Sequence, residues 1–231
     1  MPIDPFQADV ARIALTAAGQ RGFALAGGNA LVAHGVLDRP TEDVDLFSPE
    51  PGGPGAVTEA VVAALLQAGY QVVITRSPEA NQGEFARLEV TQGTQMMHVD
   101  LARDWRQWLP VQLEVGPVLQ LDDAVSSKTT ALVTRREPRD FIDIAAVLDR
   151  YTRTELMRLA FRRDPGLRVV DFTDAVRQLD QFTPIDFAEY GFDETALDAL
   201  RERFAEWPRH KADDDEGRAV HAAVAAEEHQ S

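Results

Sequence analysis

The chain has 231 residues, 45% of them hydrophobic, which suits one domain or two small ones with a real core. It contains no cysteine, so disulfides and thiolate metal sites are excluded, and no apolar run approaches the length of a membrane span. The net charge of −15 is unevenly spread: residues 1–134 carry 8 basic and 16 acidic groups, 135–168 carry 9 against 6, and 169–231 carry 6 against 16. The middle segment is where a polyanion would dock; its arginines equally suit an exposed helix face paired with Glu and Asp.

In chain order, the opening MPIDPFQADV is acidic and broken by prolines, unlike a signal peptide, so a cytoplasmic protein is expected. Pro5 to Gln20 spaces Phe6, Val10, Ile13, Leu15 and Ala17 as an amphipathic helix closed by Gly22. A short apolar segment, Phe23 to Ala26, runs into Gly27-Gly28 and then a turn or two of helix around Ala30 to Ala33. Residues 48–55, with three glycines and three prolines, predict a loop, and 56–68 a helix ended by Gly69. Strands are expected at 70–75, and at 85–91 and 94–101 as a hairpin around Gln92-Gly93. Residues 111–121 form two short strand-like runs broken by Gly116-Pro117. From Leu121 the pattern turns helical: 121–136, a helix from Pro138, then 152–163, 168–181 and 193–206. From Arg209 the chain is polar, acidic and Ala-rich, and is expected to be loosely ordered.

The stretch FALAGGNALVAHGVLDRPTEDVDLF, residues 23–47, carries the chemistry. Side chains alternate along a strand, so Asp43 and Asp45 share one face while Val44 and Leu46 take the other. Two adjacent carboxylates suit a hard dication such as Mg²⁺. Gly27-Gly28 before a helix start offers bare backbone N–H groups that a phosphate can approach. Each half alone is also the pattern of a tight turn or of a solvated strand face. Together, within one strand–helix–strand unit, they point to nucleotide chemistry. Asp100 follows the same logic, with His98 on one strand face opposite Met97, Val99 and Leu101; a surface strand end fits that residue equally.

These residues resemble the signature of the nucleotidyltransferase superfamily, in particular the AbiEii/AbiGii toxin group that includes the MenT-type toxins. The resemblance covers roughly residues 21–150. It implies an α/β nucleotidyltransferase-fold mixed sheet with flanking helices; the change of pattern near residue 120 and the composition after 208 divide the chain into a nucleotidyltransferase core at 1–120, a helical domain at 121–208 expected to complete the active site, and a flexible acidic tail at 209–231. It also assigns Asp100 as the third carboxylate. Many nucleotidyltransferases have Gly-Ser where this chain has Gly27-Gly28, so the hydroxyl that would contact phosphate is missing.

A second motif lies in the helices. Only Lys128 and Lys211 are lysine among the 23 basic residues, so Lys128 marks a position where a compact ammonium suits better than a guanidinium. Asp140 and Asp143, spaced i and i+3, share a helix face; acids in a first helical turn also complement the dipole. The toxin group carries a lysine followed by Arg/Lys-Asp-x-x-Asp, to which Lys128, Arg139, Asp140 and Asp143 are similar. The resemblance implies that Asp43, Asp45 and Asp100 hold two Mg²⁺ ions and that Gly27, Gly28, Lys128 and Arg139 bind the NTP. It gives Asp140 the task of orienting Lys128 or the nucleotide. It further implies a toxin with a cognate antitoxin, transferring NMP to an acceptor hydroxyl, with the tRNA 3′ end as lead substrate. An aminoglycoside-type small-molecule nucleotidyltransferase, or a non-catalytic nucleotide-binding protein of the same fold, are the alternatives.

Overall fold

The structure, a computed structural model, describes residues 2–228. The chain divides into two compact units, residues 1–124 and 125–231.

The first unit is built on a mixed seven-stranded sheet of order β3-β4-β5-β2-β1-β7-β6. Its strands are β1 (Ala24–Leu25), β2 (Asp43–Ser48), β3 (Gln71–Arg76), β4 (Phe85–Gln92), β5 (Gln95–Arg103), β6 (Val111–Leu113) and β7 (Gly116–Val118). β2 runs parallel to β5 and β1 parallel to β7; every other pairing is antiparallel. The helices are α1 (Pro5–Ala18), α2 (Gly27–Ala33) and α3 (Gly53–Gln67). α1 starts where the Asp4 carboxylate accepts from the Phe6 and Gln7 amides, with Pro5 in the first turn. Its buried stripe of Val10, Ala14 and Leu15 packs against α3 and the sheet. The sheet answers with Val44, Leu46, Leu88, Val99 and Leu101, all fully buried and each contributing about 1.5–3 kcal/mol over exposure.

Two expected boundaries differ. Residues 48–55 are not a loop throughout: β2 extends to Ser48, and α3 already starts at Gly53 with Pro54 in its first turn. Proline there lacks only an N–H that the helix start leaves unbonded anyway. The second is Gly116-Pro117, which lies inside β7 rather than between strands; the turn is at Glu114-Val115. Pro117 is tolerated because the parallel pairing to β1 begins one residue later, at Val118.

The second unit is helical: the rest of α4 (Leu121–Thr134), then α5 (Pro138–Val147), α6 (Arg153–Arg163), α7 (Val169–Leu179), α8 (Glu194–Arg203) and α9 (Asp215–Glu228). Its core mixes aliphatic side chains with a set of buried phenylalanines. Phe141 meets Phe182 and Phe204 edge-on, and Phe161 meets Phe172 likewise. The expected loose tail after Arg209 instead forms α9 through residue 228. Val220 and Val224, one turn apart, are buried and pack α9 on α6. Arg153 pairs with Asp214 and Glu216, and Arg162 with Glu227 at 2.6 Å. Residues 229–231 of that expected tail lie outside the described residues. No helix among the described residues is long and apolar enough to cross a membrane.

Candidate active site

The carboxylates sit where two parallel strands lie side by side. In the β2–β5 register Asp45 is opposite Asp100, and Asp43 is opposite His98. In the β4–β5 register Arg87 is opposite Asp100, and Glu89 is opposite His98. Two rows therefore cross one face of the sheet: Asp45–Asp100–Arg87 and Asp43–His98–Glu89. On the reverse of β2, Val44 and Leu46 are anchored in the core, which fixes the direction of both β2 carboxylates.

Glycine at position 27 is dictated by this geometry. Gly27 has φ +59, and a Cβ added there would lie 1.8 Å from Asp45 Oδ2. The Asp45 carboxylate thus lies directly against the glycine backbone. A Cβ on Gly28 would approach the Thr41 methyl to 2.8 Å. The pair opens α2, whose first N–H groups have no intrahelical acceptor, and the Ala26 cap supplies none.

Behind Asp43 lies a buried polar brace. Asn29 Nδ2 donates to the Asp43 carbonyl at 2.9 Å and to Gln7 Oε1 at 3.1 Å. Gln7 Nε2 donates to the Thr41 carbonyl at 2.6 Å, and Thr41 Oγ1 lies 2.7 Å from Gln7 Oε1 and 2.8 Å from Asn29 Oδ1. Asn29 is 1% exposed, so this amide ties the start of α2 to the start of β2. A cavity of about 600 Å³, lined in part by Phe6, Asn29, Arg39, Thr41 and Met96, opens at the starts of β2 and β5.

Asp100 is engaged by an arginine. Arg87 Nε donates to Oδ1 and its Nη2 donates to Oδ2, both at 2.7 Å. The hydrogen bond to Asp100, with the charges of Asp100, Asp43 and Asp45, holds the Arg87 pKa above its ordinary value against the opposing effect of burial. His98 Nδ1 lies 3.5 Å from Asp43 Oδ1. Among the described residues no three His, Asp or Glu side chains converge closely enough to form a ready cation cage. The oxygen donors of Asp43 and Asp45 fit a hard dication; both oxygens of Asp100, the ones a third ligand would offer, already accept from Arg87.

Lys128, Arg139 and Asp140 all belong to the second unit. Lys128 Nζ pairs with Asp143 Oδ2 at 2.7 Å, so Asp143, not Asp140, is the partner that orients the lysine. Asp140 is fully buried, caps α5 by accepting from the Glu137 amide at 3.0 Å, and is clasped by Arg135. That bond raises the Arg135 pKa. Arg139 bonds Glu137 at 2.9 Å. Arg87, Asn29 and Gln7 escape a reading of the sequence. An Asn in an otherwise apolar helix turn was a usable signal; the partner of Arg87 depends on strand register, which residue types do not display.

No curated protein matches the chain. Among solved structures it is similar to JHP933 of Helicobacter pylori (15% identity, 99% of this chain and 97% of that one, TM-score 0.52). It is likewise similar to MenT4, a nucleotidyltransferase toxin of Mycobacterium tuberculosis (18% identity, 95% and 94%, TM-score 0.52). At these identities the likeness establishes the fold. The sequence itself matches the family described as nucleotidyl transferase AbiEii toxin, type IV toxin–antitoxin system, over residues 10–183. The chain belongs to the AbiEii family of nucleotidyltransferase toxins.

Proposed function

We propose that the protein transfers NMP from an NTP to an acceptor hydroxyl in a Mg²⁺-dependent reaction, that the acceptor is the 3′ end of tRNA, and that a cognate antitoxin restrains it. The observation that carries the reading is the Asp43–Asp45 pair on one face of β2, with Asp45 seated against Gly27 and opposite Asp100 on the next parallel strand. Asp43 and Asp45 would hold the ions, with Asp100 as a third ligand; bound there, Mg²⁺ supplies charge neutralisation and a more acidic acceptor hydroxyl. The amides of Gly27 and Gly28 receive triphosphate oxygens, with the brace of Asn29 and Thr41 keeping that turn against β2. Asp100 takes the proton of the acceptor hydroxyl as its oxygen bonds the α-phosphorus and pyrophosphate departs. The cavity at the starts of β2 and β5 has a volume that suits a nucleoside. Roles for Lys128, Arg139 and Asp140 in nucleotide handling rest on the family resemblance.

One observation favours a small cationic acceptor instead. The arginines of the basic segment are largely paired within the second unit: Arg135 with Asp140, Arg153 with Asp214 and Arg162 with Glu227. That leaves less positive charge to meet RNA. The test incubates the protein with each α-³²P-labelled NTP and total tRNA, with Mg²⁺ or with EDTA. The proposal expects Mg²⁺-dependent label on tRNA-sized RNA, abolished when periodate first destroys the 3′ diol. Label absent from RNA but present on an aminoglycoside overturns the tRNA assignment; label on neither overturns the transfer reading.

A further inference from the structure

Arg87 has no part in the chemistry above, yet it is the residue most closely bound to it. Its guanidinium meets both oxygens of Asp100 in a parallel fork of 2.7 Å bonds. Such bidentate pairs are the stronger and more directional kind of ion pair. The Asp100 side chain is 11% exposed, while that of Arg87 is 39% exposed. The carboxylate is therefore fixed on its strand, and the guanidinium is the member with solvent to move into. A cation bound by Asp45 and Asp100 and the Arg87 fork both need the Asp100 oxygens.

We propose that Arg87 is a positioning residue that competes with the divalent cation for Asp100, holding the third carboxylate aligned but withdrawn until the cation displaces the fork. The inference rests on the metal-dependent reading of Asp43 and Asp45. Ligand binding shifts such an equilibrium only by what it gains in one state over the other, so an intact fork lowers the apparent cation affinity.

The test is Mn²⁺ binding to the nucleotide-free protein, followed by electron paramagnetic resonance, with thermal melting of every variant. Arg87→Lys keeps the charge and loses the fork, so the result separates alignment from simple electrostatics. Arg87→Lys and Arg87→Gln should bind Mn²⁺ about tenfold tighter than the parent, the scale of one charge-assisted bond. Adding Asp100→Asn to either variant should remove that gain. In transfer assays the Mg²⁺ midpoint should fall in Arg87→Lys. Affinity in Arg87→Lys equal to or weaker than the parent overturns the proposal, as does a gain that survives Asp100→Asn, which would be a field effect alone. Parent and variants all failing to bind Mn²⁺ would instead overturn the metal reading, and this inference with it.

Discussion

Substituting Gly27 tests whether the glycine turn and the carboxylate pair form one device. An alanine Cβ at position 27 would stand 1.8 Å from Asp45 Oδ2, so the carboxylate must leave its place. The φ of +59 adds left-handed strain of about 1–2 kcal/mol for a residue with a Cβ. Gly35 provides the control, because its φ is +65 and nothing lies within 4 Å of an added Cβ. Both variants carry the same backbone strain, which alone lowers melting by about 2–8 °C at about 2–4 °C per kcal/mol for a chain of this length, and the clash with Asp45 should lower Gly27→Ala further. Only Gly27→Ala displaces Asp45. Its transfer rate should fall by about 10²-fold or more, the scale of losing one preorganised electrostatic contact. Gly35→Ala should keep its rate within about threefold, since strain alone removes no group from the site. The assay pairs differential scanning calorimetry with label transfer under saturating NTP. A Gly27→Ala protein that transfers at the parental rate refutes the reasoning, as does a Gly35→Ala protein equally inactive.

Lys128→Ala leaves the fully buried Asp143 without its ammonium, which costs about 3–5 kcal/mol, so melting should drop sharply; an unchanged melting temperature would mean the pair holds nothing. Tyr70 donates to Asp9 at 2.6 Å, and burial first, then that bond, pushes its pKa from 10.0 to about 12. Folded Tyr70 keeps its proton where the unfolded chain loses it, so this stabilisation is complete below pH 10 and disappears as pH rises through 12. Tyr70→Phe should therefore flatten the fall in stability between those values, and an unaltered slope in alkaline melts would contradict it. Arg158, exposed on α6, offers charge to RNA; Arg158→Glu should raise the KM for tRNA and flatten its salt dependence, whereas an unchanged KM points to a small acceptor.

The β2 carboxylates were legible because they depend on local facts: a period of two, two apolar anchors and a glycine pair. The rest depends on register. A two-residue turn at Gln92-Gly93 would set Thr91 opposite Thr94 and carry Arg87 to His98. The turn is at Gly93-Thr94 instead, with Gly93 at φ +61, and Gln92 pairs with Gln95. That one-residue difference delivers Arg87 to Asp100. In the helical unit, spacing put Asp140 and Asp143 on one face and could not say which meets Lys128. The last segment misled through composition: two valines one turn apart were outweighed by its charges, yet Val220 and Val224 are buried and those same charges pair Asp214, Glu216 and Glu227 with arginines of α6.

The most direct measurement compares the parent with Asp43→Asn and Asp45→Asn for transfer of label from NTP in Mg²⁺, alongside calorimetry. Both substitutions keep the side-chain shape, and removing a charge from neighbouring carboxylates relieves repulsion, so both variants should fold with unchanged or raised melting temperature. Transfer should fall below detection in each. A folded Asp43→Asn or Asp45→Asn protein that still transfers label at the parental rate would contradict the assignment of this pair as the catalytic centre.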